Sequence, residues 1–256
     1  MRVLALVAAL APLSLGGSAA VSELRVAAAS DLKFALDEMI PIFERAHPGL
    51  AVRVTYGSSG NFYAQLANRA PFDVFLSADV AYADRLAEQG LTAADSRFLY
   101  AVGRLALWVP RGSVAEVERV GLAALRDPAV RHVAIANPRH APYGRAAEAA
   151  LRHYGLYEQV QPKLVLGENV AQAAQFAQSG GADAGLIALS LALAPTLREQ
   201  GRHWTVPEEA HPRLEQAGVV LSWARDPVGA RAFGSFLQSA DARVVLERYG
   251  FALPGR

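Results

Sequence analysis

The chain has 256 residues, 52% of them hydrophobic and 19% charged, which is enough apolar surface for a sizeable core and excludes general disorder. Its 25 Lys and Arg against 24 Asp and Glu leave a net charge of +1, without the basic excess of a nucleic-acid binder. No Cys occurs, which excludes thiol catalysis, iron–sulfur clusters, disulfides and Cys-ligated zinc.

Residues 1–20 read as a signal peptide. Arg2 is a positive n-region, Val3–Leu15 is an apolar stretch, and Gly16-Gly17-Ser18-Ala19-Ala20 offers small residues to a signal peptidase. The apolar stretch is shorter than the roughly 20 residues of a membrane span. Cleavage is expected near Ala20 or Ser22. Removing 1–20 takes away Arg2 alone among the charged residues and leaves the mature chain neutral. No later apolar run suits a membrane helix, so a soluble periplasmic protein is expected, and without Cys it has no lipobox anchor.

Strands and helices then alternate. Leu24–Ala28 is a short apolar run. Leu32, Ala35, Leu36, Met39, Ile40 and Phe43 fall on one helical face, and Pro41 is expected to kink or end that helix. Leu50–Tyr56 alternates as a strand does. Gly57-Ser58-Ser59-Gly60 is a turn, and Asn61–Asn68 a short helix. Val74–Leu76 is a buried strand, with Asp79 as the cap of a helix over Val80–Gln89. Val102–Val109 reads as one strand. A helix over Gly121–Arg126 and a strand over His132–Ala136 follow. A long loop then leads through Pro142-Tyr143-Gly144 to a helix over Arg145–His153. Lys163–Leu166, Ala184–Leu189 and Val219–Trp223 read as strands, and Asn169–Gln178, Pro227–Gln238 and Asp241–Tyr249 as helices.

This order predicts an α/β protein with mostly parallel sheets flanked by helices. Two lobes suit the length better than one sheet. The expected division is 21–103 with 218–256 in the first lobe and 104–217 in the second, with a ligand cleft between them. The chain would cross near Val102–Val109 and Gln216–Trp223.

In such sheets a ligand lies beyond the carboxyl ends of the strands, where helices start. Four strand-to-helix junctions carry polar groups: Ser30, Ser58 with Ser59, Tyr143, and Asn169 with Val170. They offer hydroxyls, amides and backbone N–H groups. Ionisable groups near them are few: Asp31, Glu168, Arg139, His140 and Arg145. A donor-rich site of this kind suits a fully deprotonated oxyanion. Each junction also has an ordinary structural reading. Ser30, Asn169 and Asp79 can be helix caps, Gly57–Gly60 a simple turn, and Tyr143 a packing residue.

Other chemistry finds no support. Walker A, HExxH and GxGxxG patterns are absent, Gly57–Asn61 lacks the second Gly of a nucleophile elbow, and the six His show no metal-ligand spacing. No catalytic residue and no cofactor is expected. An exported phosphate or sulfate ester hydrolase is the remote alternative. It lacks a nucleophile–base pair.

The ordered set of segments resembles the molybdate-binding proteins of ABC importers. The matching segments are Ala27–Leu32, Thr55–Gly60, Ala70–Asp79, Asn137-Pro138 through Pro142-Tyr143-Gly144, Gly167–Val170 and Arg248–Phe251. The resemblance implies a type II periplasmic binding protein fold, closing over molybdate or tungstate and docking on a membrane permease. A monomer is expected. It implies that Ser30, Ser59, Tyr143 and Val170, with Ser58 beside them, hold the anion's oxygens, with no direct bond to the metal. Some members place a ligand tyrosine where this chain has Ala188, so the Tyr143 phenol is expected to reach the anion instead. A receptor for sulfate or another small oxyanion is the alternative.

Overall fold

Ten strands make two five-stranded sheets in the computed structural model, which describes residues 22–255. The leader expected at 1–20 lies outside the described residues. The strands are β1 (Ser22–Ala29), β2 (Leu50–Gly57), β3 (Val74–Ser77), β4 (Phe98–Gly103), β5 (Leu105–Pro110), β6 (Val133–Ala136), β7 (Leu164–Gly167), β8 (Ala184–Ala188), β9 (Gly201–Thr205) and β10 (Leu214–Val220). The first sheet runs β2-β1-β3-β10-β4 and the second β7-β6-β8-β5-β9. Helices flank both, giving a two-lobe α/β fold.

The sheets are mixed, which corrects the expectation of mostly parallel pairing. β1 pairs in parallel with β2 and β3, and β6 with β7 and β8. β10 runs antiparallel to β3 and β4, and β5 antiparallel to β8 and β9. The antiparallel strands are those beside the crossings between lobes. They enter their sheet from the other lobe, so they need no helical crossover within it.

The expected single strand over Val102–Val109 is two strands in different sheets, β4 and β5, parted at Arg104. β10 begins earlier than expected, at Leu214, and β9 had no counterpart in the sequence reading. The helix Lys33–Ala46 continues through Pro41. Pro41 sits on the exposed side, where the carbonyl it leaves unbonded can meet water. The buried face of Ala35, Leu36, Met39 and Phe43 holds both halves of the helix to the sheet.

Strand period places the cores. In the first lobe Leu24, Val26, Ala28, Val74 and Leu76 enter one apolar layer, while Ala27 and Phe75 enter the layer on the opposite face. The second lobe packs around Trp108, which is 1% exposed and donates its indole N–H to the Leu197 carbonyl at 3.1 Å. The parallel strands of both lobes point their carboxyl ends at the gap between the sheets, and there the helix starts gather.

Candidate functional site

Three helices begin at this gap, each following a strand. Ser59 is the first residue of the helix Ser59–Ala67, Tyr143 the second of Pro142–His153, and Val170 the first of Val170–Ser179. Their first-turn N–H groups have no partner within the helix, and the positive ends of the dipoles converge. Ser30 opens a 3-10 turn that leads into Lys33–Ala46. The second-lobe helix starts at Pro142 and not near Arg145, because proline fits the first helical position. That places Tyr143 in the first turn.

All five residues singled out from the sequence line one small pocket between the lobes, together with Asp31. Ser30, Ser58, Ser59, Tyr143 and Val170 are each buried. No Lys, Arg or His is among the lining residues. The Ser59 hydroxyl accepts from the Ala78 N–H at 3.0 Å, which leaves its own proton to give. Ser58 caps its helix by accepting from the Asn61 N–H. Asn169 caps the fourth junction by accepting from the N–H groups of Ala171 and Gln172, at 3.0 and 3.1 Å.

The two lobes meet across the cleft. The Gly60 N–H donates to the His140 carbonyl at 2.9 Å. Ser58 Oγ lies 2.9 Å from His140 Nδ1. Ser30 Oγ donates to Asn169 Oδ1 at 3.1 Å. Asn61 donates to Glu168 at 3.2 Å. Arg145 donates to Asp79 Oδ2 at 2.6 Å and to the Tyr82 hydroxyl at 3.2 Å. Asp79 is therefore the cap it was read as, accepting from the Ala81 N–H, and also half of a bridge between lobes.

The Tyr143 phenol differs from expectation. It donates to Asp31 Oδ2 at 3.0 Å and is buried against Gly103. Its proton is given to a carboxylate. Ala188 ends β8 as a fully buried apolar residue.

Asp31 is the site residue that the sequence reading left without a role. It is 1% exposed, and its Oδ2 also accepts from Gln216 Nε2 at 2.5 Å. Its carbonyl accepts from Ser190 Oγ at 2.7 Å. Burial pushes its carboxyl up to about 6, against the pull of Gln216, Tyr143 and nearby backbone N–H groups. Burial and the Asp31 charge in turn hold the Tyr100 and Tyr143 phenols well above their usual range, so both stay neutral. The signal in the sequence was an acidic residue inside a donor-rich junction; Gln216 lies before the strand expected at Val219–Trp223 and gave none. The separation of Asp31 from Gln216 hid their contact.

The family model described as bacterial extracellular solute-binding protein matches residues 24–252. The molybdate-binding protein ModA of Azotobacter vinelandii is 37% identical over 248 residues, covering 97% of each chain. ModA of Rhodobacter capsulatus is 36% identical over 233 residues, covering 91% of this chain and 89% of that one. Among solved structures, the periplasmic molybdate-binding protein of A. vinelandii superposes with a TM-score of 0.84 at 33% identity, covering 90% of this chain and 99% of that one.

Proposed function

The chain belongs to the bacterial extracellular solute-binding proteins and, among them, to the molybdate-binding transport receptors, which are not enzymes, and on that premise we propose that it captures molybdate or tungstate in the periplasm and delivers it to an ABC permease. The observation that carries this reading is the cavity between the lobes, walled by hydroxyls and helix N-termini and by no basic side chain. Neutral donors hold a fully deprotonated oxyanion through charge-assisted hydrogen bonds. Asp31 is the one carboxylate in that lining, and while ionised it offers an acceptor that a protonated anion such as hydrogen phosphate could use.

In this reading Ser59 gives its hydroxyl proton, Tyr143 and Val170 give their backbone N–H groups, and Ser30 and Ser58 turn their hydroxyls from the opposite junctions to the anion. Residues 21–103 with 218–256 form one lobe and 104–217 the other. Strand membership supports the division at 103/104, since β5 to β9 share one sheet and β1 to β4 with β10 the other, and moves the second crossing from 217/218 to before Leu214, where β10 begins. The protein acts as an exported monomer, freed of residues 1–20, and presents both lobes to the permease.

Calorimetric titration of the ligand-free protein with molybdate, tungstate, sulfate and phosphate tests the proposal. Tight one-to-one binding of molybdate and tungstate, with sulfate and phosphate far weaker, is the expected result. A preference for sulfate or phosphate replaces the substrate and keeps the cleft. Absence of heat with all four refutes the oxyanion reading.

A further inference from the structure

We infer that Asp31 meets the oxyanion as a neutral carboxylic acid, taking up one proton as the anion enters and presenting Oδ1–H to it. The inference rests on the oxyanion reading of the cleft and adds a residue and a proton to it.

The geometry divides the two carboxyl oxygens. Oδ2 accepts from the Tyr143 phenol at 3.0 Å and from Gln216 at 2.5 Å. Oδ1 is buried and makes no hydrogen bond of good geometry, although the backbone N–H groups of Asp31 and Leu32 lie near the carboxyl and favour its charged form. The residue lines the same cavity as Ser30 and Ser59. A buried carboxylate oxygen without a well-aligned partner is costly, and a charged carboxylate beside a dianion is worse. A proton on Oδ1 removes both penalties, because the acceptor becomes a donor and the negative charge disappears.

No cation takes the proton's place. The titratable groups that act on Asp31 from the packed elements are the phenols of Tyr143 and Tyr100, both neutral. Gln216 and Ser190, its other side-chain partners, carry no charge. Lys33, the nearest cation along the chain, pairs with Asp37, and Arg104, beside Gly103, lies by Glu208. Burial already brings the carboxyl up to about 6, and a dianion next to it moves it further in the same direction. The balance is simple. The anion enters as a dianion, one proton comes from solvent, and the carboxyl O–H forms as the hydrogen bond to the anion forms.

The test is a molybdate titration of the wild-type protein at about pH 7.5 in buffers of different protonation enthalpy, which reads proton uptake directly. Uptake approaching one proton per molybdate is expected, with apparent affinity falling about tenfold per pH unit on the alkaline side of neutrality. In Asp31→Asn the amide oxygen keeps the two donors and the NH₂ group stands where Oδ1–H stood. That variant is expected to bind with pH-independent affinity and without proton uptake. Tight molybdate binding to wild type with no uptake overturns the inference and leaves the oxyanion reading intact. Uptake that persists in Asp31→Asn overturns it too, since the proton then travels on the anion. Failure of the wild type to bind molybdate at all overturns the oxyanion reading first, and this inference with it.

Discussion

Gly60 and His140 touch across the cleft, backbone to backbone: the Gly60 N–H reaches the His140 carbonyl at 2.9 Å, and a Cβ built on Gly60 lies 2.5 Å from the same oxygen. The closed arrangement therefore requires a residue without a side chain at this point. The Tyr82 hydroxyl, 2.8 Å from that Cβ, narrows the space further. Gly60→Ala is expected to hold the lobes apart. Molybdate affinity should fall by about tenfold or more, at a cost of about 1.4 kcal/mol per decade, while the ligand-free melting temperature stays near wild type. Unchanged affinity would show that the two loops separate freely in the bound state.

Ser59 gives its hydroxyl proton to the anion in the proposed site while accepting from the buried Ala78 N–H. Ser59→Ala removes one charge-assisted donor. A loss of about 1–3 kcal/mol in oxyanion binding is expected. The Ala78 N–H loses its partner as well, so a smaller loss of stability should accompany it. Calorimetry and urea unfolding on the same variant separate the two effects.

Tyr143 gives its phenolic proton to Asp31, and in the proposed site it meets the ligand through its backbone. Tyr143→Phe should therefore weaken binding less than Ser59→Ala, by under about tenfold, in line with one neutral hydrogen bond. A loss as large as that of the serine variant would place the phenol on the anion.

Arg145 and Asp79 join the lobes at the cleft rim, 2.6 Å apart and partly exposed. A pair of this kind contributes about 0.2–1 kcal/mol and weakens with salt. Arg145→Gln should raise the molybdate dissociation rate a few-fold at low ionic strength, and the difference from wild type should shrink as salt is added. Stopped-flow release at two salt concentrations checks this.

Asp31 also makes stability depend on pH in the ligand-free protein. Its folded-state value, about 6, lies above the 3.8 of an unperturbed carboxyl. The folded state thus binds the proton more tightly than the unfolded chain. The stabilising contribution is fully present below the unfolded value and is lost as pH rises through about 6. The loss is of order 3 kcal/mol. Asp31→Asn removes this dependence, so the variant should be more stable than wild type at about pH 8 and lose that advantage at about pH 4. Urea unfolding at the two pH values is the measurement.

Much of the site was legible in the sequence because it is local. Ser30, Ser58, Ser59, Tyr143 and Val170 each stand where a strand gives way to a helix. Apolar period and capping residues mark such places within a window of about a dozen residues. The alternation of elements fixed the α/β class for the same reason. Only the tertiary structure decided what depends on distant pairing. Arg104 parts one apolar run into β4 and β5, whose partners are β10, β8 and β9, and nothing in the run itself says which sheet each half joins. The antiparallel direction of β5 and β10 follows from the lobe crossings and not from any residue within them. Asp31 meets Tyr143 and Gln216 across 112 and 185 residues of chain. That contact ties the phenol to a carboxylate, an arrangement set by whatever folding brings alongside and not by neighbours in sequence.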